Sequence, residues 1–340
     1  MENDKKEIVT FGEVMLRMST PGFAKFSQVD NLNMDYGGGE ANVAISLAYM
    51  GMNAIHVTRF PNNYVGRAAA QFLRHHWVNT SQIIYGDNEL GLYFLETGAV
   101  HRSSKVVYNR ENSSFSKIRP DMIDWEEILK GKDWFHWTGI TPAISEGVAA
   151  SCLKAIEAAN KLNVKVSADI TYRKSLWQYG KKPQEVMPEL VAGCDVIMAS
   201  AYDLADIFDY PLNHDPETDF PNAAAKLMED YPRIQRVAYK TRDSLNASHN
   251  RISAHIWDGK QLISTDNYDI THIVDRVGTG DAFAAGLIYG LLHYKTDEEA
   301  INFAAAACAL KHTIEGDANM VDFDDVEKLV KGDKSGGIVR

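Results

Sequence analysis

The 340 residues contain only three cysteines, Cys152, Cys194 and Cys308, and they stand far apart with no Cys-x-x-Cys pair. That excludes a disulfide framework and a cysteine-built zinc site, and it fits a reducing compartment. No run of Lys or Arg forms a basic stripe, and the formal charge is -11, so a nucleic-acid backbone is not the expected partner. Local arginines and backbone N–H groups can still bind an anion at close range. No uninterrupted apolar stretch reaches the roughly 18 residues a membrane helix needs. The opening Met-Glu-Asn-Asp-Lys-Lys-Glu lacks the basic and apolar regions of a secretory signal. A soluble cytoplasmic protein without a membrane partner is expected. Two nucleotide fingerprints are missing as well: no G-x-x-x-x-G-K-[ST] occurs, and no G-x-G-x-x-G follows the first strand.

What is present is an α/β pattern with 45% hydrophobic residues, enough for a sizeable core. Residues 8–11 read as a buried strand and 40–50 as a helix. From residue 134 a βαβ rhythm sets in: strands at 134–137, 165–169, 196–199 and 236–239 alternate with helical stretches at 146–162, 185–192 and 222–230. Residues 256–258 and 261–264 flank Gly259-Lys260 as a hairpin, and 281–294 and 298–312 read as two Ala-rich helices packed together. Residues 13–35 and 91–116 are less regular. The second of these alternates apolar and polar side chains as a strand with one wet face does, which suggests a small sheet apart from the core. The tail, 331–340, is expected to be mobile.

The segment Asp275-Arg276-Val277-Gly278-Thr279-Gly280-Asp281 places two glycines just before a helix that carries a carboxylate in its first turn. Free N–H groups at a helix start and a glycine turn together make a nest for phosphate. A carboxylate there can orient an attacking hydroxyl and take its proton. An isolated G-x-G-D is weak evidence, because such an Asp often only stabilises the helix start. A second glycine-rich motif, Tyr36-Gly37-Gly38-Gly39-Glu40-Ala41-Asn42, stands near the N-terminus.

Taken together, these two motifs resemble the substrate motif and C-terminal signature of the PfkB/ribokinase-like carbohydrate kinases, and the resemblance covers nearly the whole chain. Within that family the chain is most similar to 2-keto-3-deoxygluconate kinases, through Gly91-Leu92-Tyr93-Phe94-Leu95-Glu96, Val107-Tyr108-Asn109-Arg110, Trp137-Thr138-Gly139-Ile140-Thr141-Pro142 and Thr171-Tyr172-Arg173-Lys174-Ser175-Leu176-Trp177. The resemblance implies a ribokinase-like α/β fold, with a mostly parallel central sheet flanked by helices in one catalytic domain over residues 1–330. It also implies a small β-sheet lid, formed by about 13–35 and 91–116, that often joins two subunits. ATP and Mg²⁺ are the implied co-substrate and metal, with a monovalent cation as a further candidate, and transfer is to the 6-hydroxyl of the sugar acid.

Carried over residue by residue, Asp281 is the implied base, and Gly278, Thr279 and Gly280 form the anion hole for the ATP phosphates. Lys240, Arg242 and Ser200 fall on the nucleotide side. Gly38, Gly39, Asn42, Tyr93, Tyr108, Arg110 and Arg173 face the sugar, where the two guanidinium groups suit a carboxylate. Asp203 is the candidate for metal handling. Where relatives have Asn-x-x-Glu or Asn-x-x-Asp, this chain has Ser200-Ala201-Tyr202-Asp203, keeping the carboxylate and losing the amide. Arg276 and Thr279 are also bulkier than the small residues usual at their places. The alternatives are a kinase for a neutral sugar such as fructose or ribose, and a non-catalytic sugar-binding or regulatory relative.

Overall fold

The structure is a computed structural model that describes residues 5–173 and 175–333. Lys174, within one of the quoted motifs, and 334–340 of the expected mobile tail lie outside the described residues.

Among the described residues, fourteen strands form two sheets. They are β1 (Glu7–Phe11), β2 (Met15–Ser19), β3 (Asn33–Gly37), β4 (Asn53–Pro61), β5 (Ile83–Gly86), β6 (Gly91–Glu96), β7 (Lys105–Asn109), β8 (Trp134–Thr138), β9 (Lys165–Asp169), β10 (Val196–Met198), β11 (Arg236–Asn246), β12 (His249–Trp257), β13 (Leu262–Ser264) and β14 (Tyr268–Ile270). The large sheet runs β13-β12-β11-β10-β9-β8-β1-β4-β5, with β14 beside β12. Pairing is parallel from β11 through β5 and antiparallel only around β12. Because these strands are covered on both faces, they read as apolar runs; every residue of Trp134–Thr138 is buried.

One face packs on the helices Gly39–Tyr49, Thr279–His293 and Asp297–Lys311, the other on Glu146–Lys161, Pro183–Val191 and Pro216–Asp230. The Ala-rich pair approaches closely because Gly286 has no side chain: a methyl there would meet Ala304 Cα at 2.8 Å. The expected helices at 40–50, 146–162, 281–294 and 298–312 are present within a residue or two.

The less regular segments supply a separate four-stranded sheet of order β3-β2-β6-β7, in which β2 and β6 are parallel although 76 residues apart in register, Met15 facing Gly91. Its outermost strand, β7, is exposed along its length.

One sequence expectation is corrected. The strand read at 236–239 continues to Asn246, and the strand read at 256–258 begins at His249, so the two form one long hairpin with register from Val237↔Trp257 to Asn246↔His249. The outer half projects past the core, where Thr241 to Leu245 lose the apolar signal that marks a buried strand. Among the described residues no helix is long and apolar enough to cross a membrane.

Candidate active site

The parallel strands end on one edge of the large sheet, the usual place for a ligand in an open α/β fold. A cavity of about 560 Å³ opens there, under the small sheet. All of the site residues named from the sequence line it: Gly38, Gly39, Asn42, Tyr93, Tyr108, Arg110, Arg173, Ser200, Asp203, Lys240, Arg242, Gly278, Thr279, Gly280 and Asp281.

Asp281 joins the two glycine motifs. It lies in the first turn of the helix Thr279–His293, yet its carboxylate does not cap that helix. Instead Oδ2 accepts from Asn42 Nδ2 at 2.7 Å. Gly39 borders the same carboxylate, since a methyl there would sit 3.6 Å from Oδ1. Burial pushes the Asp281 carboxyl up to about 7; the Asn42 hydrogen bond opposes this, and the charges of Asp169, Asp317 and Glu40 add to it. Such a group titrates near neutrality, as a general base should.

The first motif is anchored by Glu40, buried at the start of the helix Gly39–Tyr49. Its Oε1 accepts from Thr138 N at 3.0 Å, Thr138 Oγ1 at 2.7 Å and Thr141 Oγ1 at 2.6 Å. This ties the end of β8 to the helix that carries Asn42. Gly38 must be glycine because any Cβ would fall 1.9 Å from the Glu13 carbonyl oxygen. In the second motif Gly278 has φ +76°, and a Cβ would fall 1.8 Å from the Asp317 carbonyl oxygen. Glycine alone fits that turn.

Two of the residues expected on the sugar side, Tyr93 and Tyr108, come from the small sheet. Tyr93 is buried, and its hydroxyl donates to Asp317 at 2.5 Å. Asp317 also accepts from Arg17 Nη1 at 2.6 Å, while Arg17 Nη2 reaches Asp275 Oδ2 at 2.6 Å. A buried network therefore ties β2 and β6 to the loops on either side of the Ala-rich helices. Tyr108 stands on the exposed strand with its ring 5.8 Å from that of Tyr93.

The two arginines differ from expectation. Arg110 is already neutralised, with Nε 2.7 Å from Glu13 Oε2 and Nη2 paired to the same carboxylate. Arg173 is exposed and forms no ion pair among the described residues. The pair is thus not two buried guanidinium groups awaiting a carboxylate, because Glu13 compensates one and solvent the other.

On the opposite wall, Lys240 and Arg242 point from β11 with no ion pair among the described residues. Ser200 and Asp203 form a capping box. Ser200 Oγ accepts from Asp203 N at 3.3 Å, and Asp203 Oδ2 accepts from Ser200 N at 2.9 Å and Oγ at 2.6 Å. Asp203 Oδ1 takes Tyr172 N at 2.9 Å. Both oxygens thus hold local groups, while Asp203 still lines the cavity.

Two acidic residues in the cavity were not singled out from the sequence. Asp317 is one. The other is Asp169, at the end of β9, whose Oδ1 accepts from Thr171 N at 3.0 Å and Oγ1 at 2.6 Å, while Oδ2 makes no hydrogen bond among the described residues. A methyl at Gly280 would lie 3.9 Å from that free oxygen, which puts it beside the anion turn. Its place at a strand end beside Thr171-Tyr172-Arg173 was the available signal. No cluster of three or more metal-ligating side chains occurs among the described residues.

Compared with known families, residues 5–323 match the pfkB family carbohydrate kinase. The chain belongs to this family. The crystal structure of a 2-dehydro-3-deoxygluconokinase from Thermotoga maritima superposes with a TM-score of 0.93 at 39% identity, covering 98% of this chain and 100% of that one. A 2-dehydro-3-deoxygalactonokinase from Haloferax volcanii is 28% identical over 97% of this chain and 98% of its own length. A fructokinase with bound ATP from Xylella fastidiosa shares the fold, with a TM-score of 0.78 at 19% identity over 96% of this chain and 98% of that one. This kinase therefore has the ribokinase-like α/β fold expected from its motifs, and it is a carbohydrate phosphotransferase.

Proposed function

We propose that the enzyme transfers the γ-phosphoryl group of ATP to the 6-hydroxyl of 2-keto-3-deoxygluconate, giving 2-keto-3-deoxy-6-phosphogluconate. The observation that carries the reading is the Asp281 carboxylate, held at the meeting point of the two motifs with its proton affinity raised to about 7. The sugar acid lies between Gly38, Gly39, Asn42 and the tyrosines of the small sheet. Its carboxylate meets Arg173, which has no ion pair among the described residues, while the Arg110–Glu13 pair shapes the pocket wall.

The chemistry follows from those positions. Asp281 accepts the hydroxyl proton as the sugar oxygen forms its bond to the γ-phosphorus, and the bond to the β,γ-bridging oxygen breaks to release ADP. N–H groups of the Gly278–Gly280 turn, with Lys240 and Arg242, stabilise the negative charge spreading over the phosphoryl oxygens. Mg²⁺, when bound, would supply positive charge that offsets that of the phosphates. Asp169 Oδ2 is the protein group placed to hold its water shell, and Asp203 holds the turn that carries Ser200. The small sheet acts as a lid that keeps water, the competing acceptor, away from the phosphoryl group. Met34 and Val107, more than half exposed at 62% and 57% on the face of that sheet opposite Tyr93 and Tyr108, support a second copy of the chain packing there. The enzyme works in the cytoplasm as one catalytic domain with this lid.

A coupled ADP-release assay tests the reading. It compares 2-keto-3-deoxygluconate, its galacto epimer, fructose, ribose and gluconate, with potassium and choline salts to expose any monovalent-cation activation. Selectivity for a 2-keto-3-deoxy acid that is lost in Arg173→Ala supports it. Preference for a neutral sugar, for which the compensated Arg110 leaves room, rejects the substrate assignment, and silence toward every sugar favours a non-catalytic relative.

A further inference from the structure

The β11–β12 hairpin spans the cavity. Lys240 and Arg242 stand on its wall side, and its tip reaches the small sheet. There Ala247 N donates to Val100 O at 2.7 Å, and Val100 N donates to Ser248 Oγ at 3.1 Å. Val100 lies in the turn between β6 and β7, with φ +49°. β-branched residues rarely adopt that conformation, so the contact holds a constrained turn.

Beneath the tip lies Arg276, the bulky departure in the anion-turn motif. Its Nη2 donates to Ala247 O at 3.0 Å and approaches Asn246 O at 3.4 Å and Asn250 Oδ1 at 3.5 Å. These neutral oxygens hold the guanidinium without cancelling its charge. Arg242 and Arg276 line the same cavity, and burial and the charge of Arg242 press the Arg276 guanidinium down from its usual range while Asp275 opposes this. An anion between them would replace repulsion with attraction on both sides.

We propose that Arg276 is a positioning residue that couples nucleotide binding to the small sheet: triphosphate oxygens entering beside Arg242 draw the hairpin toward the anion turn, and the Ala247–Val100 contact carries the β6–β7 turn down over the sugar. The proposal rests on the nucleotide-side assignment above. Coupling of this kind is reciprocal, so the sugar acid must also tighten the nucleotide.

Hydrogen exchange of the backbone amides in 98–102, measured with and without saturating Mg²⁺ and a non-hydrolysable ATP analogue, tests it without any sugar. Success or failure is therefore separate from the choice of sugar substrate. Wild type should show about 5-fold or greater slowing on adding the analogue, a typical coupling factor. Arg276→Ala should still bind the analogue at higher concentration and show no slowing. Arg276→Gln, which can still donate to Ala247 O but has no charge, should behave as Arg276→Ala does. A purely structural role would instead raise exchange in 98–102 equally with and without analogue, leaving the ratio at its wild-type value. That result overturns the proposal, as does absence of slowing in the wild type. Should Arg276→Ala fail to fold, Ser248→Ala, which removes one of the two contacts at Val100, must reduce the slowing, and an unchanged ratio again overturns it.

Discussion

Replacing Asn42 with leucine, a side chain of similar size, removes the one hydrogen bond to the Asp281 carboxylate among the described residues. A hydrogen bond to an ionised group is worth about 1.5–3 kcal/mol. At about 1.4 kcal/mol per pKa unit, its loss raises the Asp281 pKa by roughly one to two units from the starting value of about 7. Asp281 must be ionised to take a proton, so the acid limb of kcat/KM, which reports the free enzyme, moves upward by that amount. At pH 7 the ionised fraction drops from about one half to between about one tenth and one hundredth, a loss of roughly 5- to 50-fold, and most of it returns at pH 9. The assay is initial-rate ADP release from pH 5.5 to 9.5 for both proteins. Because Asn42 also borders the sugar, a uniform loss can be superimposed on the shift. The reasoning is refuted if the acid limb stays where it is in wild type and the loss is the same at every pH.

Gly278→Ala should reduce kcat at least ~100-fold while keeping Asp281, because its backbone must leave φ +76° and move away from the Asp317 carbonyl, displacing by about an ångström the amides proposed to hold the phosphates. Steady-state kinetics checks it, and near-wild-type kcat would show that the turn does not hold the phosphates. The buried His56 and His136 accept or donate through Nδ1 to Thr10 and Ser167, and neither Nε2 has a partner among the described residues. Burial lowers both to about 3, so the unfolded chain, with an ordinary value near 6.5, binds more protons as the pH falls. These two groups favour the fold fully above about pH 6.5 and lose that contribution on acidification, on the order of 2 kcal/mol each at pH 5. Urea unfolding at pH 5 and 7 should show a smaller pH difference in His136→Gln than in wild type, and an equal difference would contradict the assignment of this histidine.

Much of the site was legible because its chemistry is written locally. A glycine turn followed by Asp281, and Gly38-Gly39 followed by Asn42, each make sense within a few residues. Their meeting across 239 positions of sequence is what the fold adds. Asp317 and Asp169 were not legible for the opposite reason. Asp317 is one acid in an irregular loop, and its meaning comes from Arg17, 300 positions away. Asp169 looks like any strand end until Gly280 is brought beside it. The projecting half of the β11–β12 hairpin escaped because periodicity reports burial, and Asp243, Ser244 and Leu245 are exposed. Arg110 lines the cavity as its motif implies, but its pairing with Glu13 was not legible, because the two stand 97 positions apart in sequence.

The central claim is that Asp281 takes the acceptor proton during phosphoryl transfer. Asp281→Asn keeps the shape and can still hydrogen-bond Asn42, so single-turnover transfer from ATP to 2-keto-3-deoxygluconate, with calorimetric binding of each ligand, isolates the chemical step. A positioned base contributes about 10²- to 10⁴-fold. The predicted result is a loss of that size with both dissociation constants within a few-fold of wild type, whereas transfer near the wild-type rate with binding intact would contradict the account.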